Sequence, residues 1–94
     1  MVEHEKTEHE KRGEALRTLS KSIVLQYMQN TPECSPKADG KRLAAIFREC
    51  GFDWGEQQNA TSSNQQYWVV ALMRHLEAEG KVERVTKSGP WRLR

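Results

Sequence analysis

Nowhere does this chain hold an apolar run near the roughly 20 residues that a membrane-spanning helix needs, so no membrane segment is expected. Its opening, MVEHEKTEHEKR, lacks the apolar stretch of a secretory signal, and a cytoplasmic location is expected. Cysteine is scarce, at two residues, too few for a disulfide framework. In a reducing compartment Cys50 reads as a small apolar packer and Cys34 as a loop residue. Adding His75 yields only three scattered ligands without the tight paired spacing of a zinc site, so no metal and no cofactor are expected. Catalytic signatures are missing too. His75 has no serine or cysteine in a nucleophile motif, no glycine-rich phosphate loop occurs, and the acidic residues form no interpretable pair. An enzyme is not expected, and no catalytic residue is assigned.

What is present fits one domain, or one domain plus a tail, in 94 residues. Three Trp, two Phe and two Tyr supply bulk for a compact core. The net charge is only +2, but it is unevenly spread. Residues 1–14 hold five Glu against three Lys or Arg, whereas residues 15–94 hold twelve Lys or Arg against eight acidic residues. From Arg84 onward there are four basic residues and no acidic one. The basic excess therefore gathers toward the C-terminus.

Residues 1–13, with the repeat Glu3-His4-Glu5-Lys6 and Glu8-His9-Glu10-Lys11, offer nothing to bury and read as a charged flexible tail or frayed helical extension. From Glu14 a helical period sets in: Leu16, Leu19, Ile23 and Tyr27 recur at helical spacing, with Ala15, Ser20, Val24 and Met28 alongside. The run ends at Asn30-Thr31-Pro32. In the connector TPECSPKADG, Ser35-Pro36 or Asp39-Gly40 is placed to start a second helix. Its apolar face is Leu43, Ile46, Phe47 and Cys50, and Gly51 is placed to cap it. Phe52 and Trp54 read as anchors for a polar loop, and Ser63-x-x-Gln66 fits a capping box opening a third helix. Val69, Leu72, Met73 and Leu76 form that helix's stripe, and Gly80 stops it. Lys81–Val85 and Trp91–Arg94 read as two short strands. Alternation points Trp91 and Leu93 inward and Arg92 and Arg94 outward. Val82 and Val85 cannot both face inward on a regular strand, so a bulge or frayed end is expected there. The predicted class is α+β.

The stretch YWVVALMRHLEAEGKVER, residues 67–84, followed by Gly89-Pro90-Trp91-Arg92-Leu93, resembles a winged helix-turn-helix domain. In that family the third helix commonly ends L-E-x-x-G and runs into x-V/I-x-R, with a β-hairpin wing after it. The resemblance covers residues 14–94 in element order, and its specific part is residues 67–93. The ending is similar to the N-terminal domain of Mrr-type restriction enzymes, which also close on a Gly-x-Trp-Arg hairpin. The 94 residues hold no nuclease domain, so cleavage does not carry over. The Pro90-Trp91 turn is also similar to that of domains binding left-handed DNA. Those place an asparagine and a tyrosine on helix three where this chain has Val70 and Arg74.

The resemblance implies binding to double-stranded DNA, with helix three in the major groove and the wing on phosphates. Ser63, Gln66, Tyr67, Val70 and Arg74 are then the reading face. Arg74 suits guanine or phosphate, Gln66 adenine, Tyr67 a phosphate or a stack, and Val70 a thymine methyl. Lys87, Arg92 and Arg94 supply the wing's charge, and Lys41 and Arg42 meet the backbone from the start of helix two. Blander roles stand beside these. Arg74 can pair with Glu77 or Glu83, and Trp68 reads as core. Val70 and Ala71 in the reading face also fit a protein-interaction module, with a protein partner or a second copy in place of DNA.

Overall fold

In the computed structural model of the chain, residues 5–53 and 67–94 are described. Among them three α-helices precede a two-stranded antiparallel hairpin, which makes the chain a small α+β domain. The helices are α1 (Glu8–Gln29), α2 (Leu43–Glu49) and α3 (Tyr67–Ala78), and the strands are β1 (Val82–Arg84) and β2 (Trp91–Leu93). A 3-10 turn at Pro32–Cys34 follows α1. No helix among the described residues is long and apolar enough to cross a membrane.

Helix α1 begins earlier than its apolar period. The Thr7 hydroxyl accepts from Glu10 N at 3.1 Å, and Glu8 and Glu10 lie in the first turn, where carboxylates favour the helix dipole. These local bonds make residues 8–13 helical although none of them is buried. The buried row is Ser20, Val24 and Met28. Leu16 and Leu19, expected on the main stripe, are 64% and 57% exposed, and Ile23 and Tyr27 are half-buried. Two apolar rows overlap on this helix, and the position of the other elements decides between them.

The connector does not start α2 at Ser35 or Asp39. Its backbone is spent on turns, with Ala38 N donating to Ser35 O at 2.9 Å and Gly40 N to Glu33 O at 2.7 Å. Lys41 then pairs with the hairpin. Its N–H donates to Trp91 O at 2.9 Å, and its carbonyl accepts from Trp91 N at 2.8 Å. Gly40 makes this approach possible. It sits at φ +80°, and a Cβ there would lie 2.7 Å from Trp91 O and 2.9 Å from a Val85 methyl. Helix α2 therefore starts only after Arg42.

Helices α2 and α3 end as the glycines predict. Gly51 and Gly80 adopt φ of +79° and +76°. Phe52 N donates to Phe47 O and Gly51 N to Arg48 O; Lys81 N to Leu76 O and Gly80 N to Glu77 O repeat the pattern. Both are Schellman caps. The second aims the chain directly into β1.

Strand register pairs Val82 with Leu93, Glu83 with Arg92, and Arg84 with Trp91. Directly opposed residues share a face, so Val82, Arg84, Trp91 and Leu93 lie on one side. Val82 and Trp91 are buried there, and Leu93 packs half-buried against them. The conflict between Val82 and Val85 resolves by fraying: β1 stops at Arg84, and Val85 N donates to Pro90 O at 2.8 Å beyond it. The core joins Val24 and Met28 of α1 and Cys34 of the 3-10 turn to Ile46 and Phe47 of α2. Val69, Leu72, Met73 and Leu76 of α3, with Val82 and Trp91, complete it. Trp68 stays 43% exposed and leans on Phe52, ring centres 4.9 Å apart, rather than joining that core. Trp54 and the Ser63–Gln66 capping box lie outside the described residues.

Candidate functional site

The Schellman cap after α3 folds β1 back beside the helix and leaves a shallow depression of about 480 Å³ between them. Arg74 and Glu77 of α3 line one wall; Glu83, Arg84, Lys87 and Arg94 of the hairpin line the other. Four cations and two carboxylates thus meet in one concave surface.

Arg84 was not singled out as a binding residue by the sequence. Its guanidinium carbon lies 4.8 Å from the Trp91 ring centre, a cation–π geometry, and its Nη1 donates to Lys87 O at 3.0 Å. No carboxylate pairs with it among the described residues, and its buried Nε has no hydrogen-bond partner. The hairpin itself therefore holds this cation in place. The signal was parity: Arg84 lies two residues from inward-facing Val82 and so shares the face of Trp91. Lys87, at the exposed tip, has no ion pair among the described residues.

The other cations at the hairpin are engaged. Arg94 Nε lies 3.8 Å from Glu83 Oε1. Arg74 Nη1 lies 3.3 Å from Glu77 Oε1, one of the two partners its spacing allowed. Arg92 departs most from the solvent-facing role expected of it. Its Nε donates to Glu83 Oε2 at 2.8 Å and its Nη1 to Ala38 O at 2.9 Å, which ties the outer face of β2 to the connector. Arg92 is a structural link, not a free charge.

Lys41 also departs from expectation. Its ammonium lies 2.7 Å from Glu49 Oε2 and 3.7 Å from Glu33 Oε2, and Tyr27 OH donates to the same Glu49 oxygen at 3.0 Å. The Glu49 hydrogen bond, then the Tyr27 contact, raises the Lys41 pKa, and the Lys41 hydrogen bond lowers that of Glu49. This corner is neutralised from within. Arg42 beside it is exposed and has no ion pair among the described residues.

On α3, Tyr67 is 76% exposed and Val70 is half-buried. Ser63 and Gln66 lie outside the described residues. The structure therefore brings Arg74, Lys87 and Arg94 together with Arg84, and sets Lys41 and Arg92 apart in contacts of their own.

A second concavity of about 540 Å³ lies between α1 and α3, with Trp68, Ala71 and Leu72 facing Arg17, Thr18 and Lys21. Lys21 Nζ donates to His75 Nδ1 at 2.9 Å and to Glu79 Oε1 at 3.1 Å, so one lysine ties the two helices together. The Lys21 hydrogen bond holds the Glu79 carboxyl below its ordinary pKa. Among the described residues no group of three or more His, Cys, Asp or Glu side chains is placed to hold a metal ion. Cys34 and Cys50 are free thiols, and burial pushes both up, Cys50 to about 11. Both stay protonated near neutrality, the unreactive form. In comparisons with known proteins, no family model matches the chain, and no curated protein or solved structure matches it.

Proposed function

We propose that this domain is a winged helix that binds double-stranded DNA, as a small transcriptional regulator or DNA-associated accessory factor. The carrying observation is the depression between α3 and the hairpin, where Arg74, Arg84, Lys87 and Arg94 converge. Element order supports the fold part of the reading: helix, the Lys41 bridge, helix, helix, hairpin. The bridge gives the hairpin a third edge and fixes it to the body, so its tip is held at a set place beside α3. In this reading α3 approaches the major groove, and Arg84 and Lys87 contact the flanking phosphates. Phosphate contacts release condensed counterions, so affinity falls as salt rises.

The test is an anisotropy titration of a labelled random-sequence duplex at several salt concentrations. Parent protein should bind with a clear negative dependence on salt. Arg84→Ala and Lys87→Ala should each weaken binding to all duplexes alike and lower the slope of log K against log salt by about one. Arg74→Ala should weaken binding to the same duplex as well, since its guanidinium lines the same depression. A parent that shows no salt-dependent binding overturns the proposal.

The exposure of Tyr67 and Trp68, at 76% and 43%, favours a second reading. Tyrosine and tryptophan anchor many protein–protein interfaces, so the start of α3 suits a protein partner. In that reading Tyr67→Ala abolishes binding to the partner while the wing variants are silent.

A further inference from the structure

We infer that Glu77 and Glu83 are built-in counter-ions of the α3–hairpin depression, which phosphate must displace, and that they set the strength and salt dependence of DNA binding. The inference rests on the DNA-binding reading above and adds its regulation.

Both carboxylates line the same depression as the four cations. Glu77 holds Arg74 at 3.3 Å, and Glu83 holds Arg94 at 3.8 Å as well as Arg92 at 2.8 Å. The contacts differ in how easily they open. Arg92 is held a second time by Ala38 O and opposes Glu83 in the strand register, so it stays. The side chains of Arg74 and Arg94 are exposed, and each has one carboxylate contact and no other polar partner among the described residues. Arginine forms charge-assisted bonds to carboxylate and phosphate alike, but these two carboxylate contacts are exposed, at 3.3 and 3.8 Å, and therefore weak, whereas duplex DNA presents a dense row of phosphates. Phosphate can therefore take Arg74 and Arg94 from their carboxylates. Taking Arg74 leaves Glu77 bare in a depression now holding phosphate, and that carboxylate must gain a cation from solution, whereas Glu83 keeps Arg92 when Arg94 leaves. Cation uptake offsets cation release. The parent should show a shallower salt slope than its cations alone imply, with Arg84 and Lys87 as the two that bind without exchange.

The experiment compares parent, Glu77→Gln, Glu83→Gln and the double variant with one labelled random-sequence duplex over a salt series. Melting curves accompany each to confirm the fold. Glutamine keeps an acceptor for the arginine and removes only the charge. Both substitutions should tighten binding at low salt; Glu77→Gln should steepen the slope by about 0.9, and Glu83→Gln, whose carboxylate keeps Arg92 throughout, should steepen it less. If the parent binds and folded variants show its affinity and slope, the counter-ion role is overturned while DNA binding stands. If only the variants bind, the carboxylates act as a block, which supports the inference and limits the parent's own binding. If none binds at low salt, both proposals fall. Glu77 lies on a helix surface outside the strand pairing, so its variant alone decides the matter should Glu83→Gln loosen the hairpin.

Discussion

At the corner around Lys41 the ammonium meets Glu49 and Glu33 and lies over the Tyr27 ring, whereas at the hairpin neither Arg84 nor Lys87 meets a carboxylate among the described residues. Both places follow a glycine-bearing turn, and both carry basic residues that suit phosphate by composition. The difference lies in what the fold puts opposite each cation. At the corner the partners come from α1, the 3-10 turn and α2, so the positive charge works as a tie between elements. At the hairpin an aromatic ring and a backbone carbonyl orient the guanidinium without cancelling it. A cation count identifies neither role; the partner list does.

The hardest blow to both regions is Trp91→Ala. Trp91 supplies the ring under Arg84, and that ring, on a residue 1% exposed, packs beside the backbone pairing with Lys41. Emptying a site of that size costs about 3–5 kcal/mol, to be read from chemical denaturation. An unchanged midpoint would mean that the ring is not packed as described.

Lys41→Met separates the two regions. It should leave duplex affinity and salt slope at the parent's values, where Arg84→Ala lowers both, because Lys41 already serves Glu49. Its effect should appear near neutrality and fade in acid. Glu49 and Glu79 are held below the ordinary carboxylate pKa of 4.5, chiefly by hydrogen bonds from Lys41 and Lys21. A depressed carboxylate stabilises the fold above its unfolded pKa, and that stability is lost as pH falls through the lower folded value. The parent's denaturation midpoint should therefore drop below about pH 4.5. Lys41→Met should begin less stable near neutrality and lose less on acidification. Equal slopes for the two proteins would exclude the pairing.

The smallest expected effect concerns Gly13, in the exposed first turns of α1. Gly13 has nothing within 4 Å of its would-be Cβ. Gly13→Ala should stabilise α1 by up to about 1 kcal/mol, the propensity difference alone, and leave DNA affinity untouched. Helicity by circular dichroism should rise. A fall would mean that the glycine serves a contact.

Local chemistry explains which parts of this molecule were legible in the sequence. The α3 stripe, the two glycine caps and the inward Trp91 depend on periodicity and backbone conformation within a few residues, and all three are found where expected. The row of α1 that becomes core was not legible, because Leu16-Leu19-Ile23 and Ser20-Val24-Met28 are both regular rows and only tertiary contact chooses. Trp68 looked like core for its size, yet its position on α3 sends it toward Phe52 at the edge. At the candidate site, the engagement of Lys41 with Glu49 and of Arg92 with Ala38 depends on chain segments brought together by folding, and no spacing rule encodes it. Arg84 was within reach, since it lies two residues after Val82 and strand parity puts the two on one face.

During synthesis, residue 41 leaves the ribosome long before residue 91. Until Trp91 emerges, the backbone groups of Lys41 face water, Gly40 has no strand to press against, and the core lacks its largest fully buried side chain. The contact that closes the fold spans half the chain, the kind of long-range pairing that slows folding because loop entropy is lost before the contact rewards it. A nascent chain reaching only to Val85 would hold helices with one side of their apolar surface still open, a substrate for chaperones and proteases. Folding of this domain is therefore timed by its last strand.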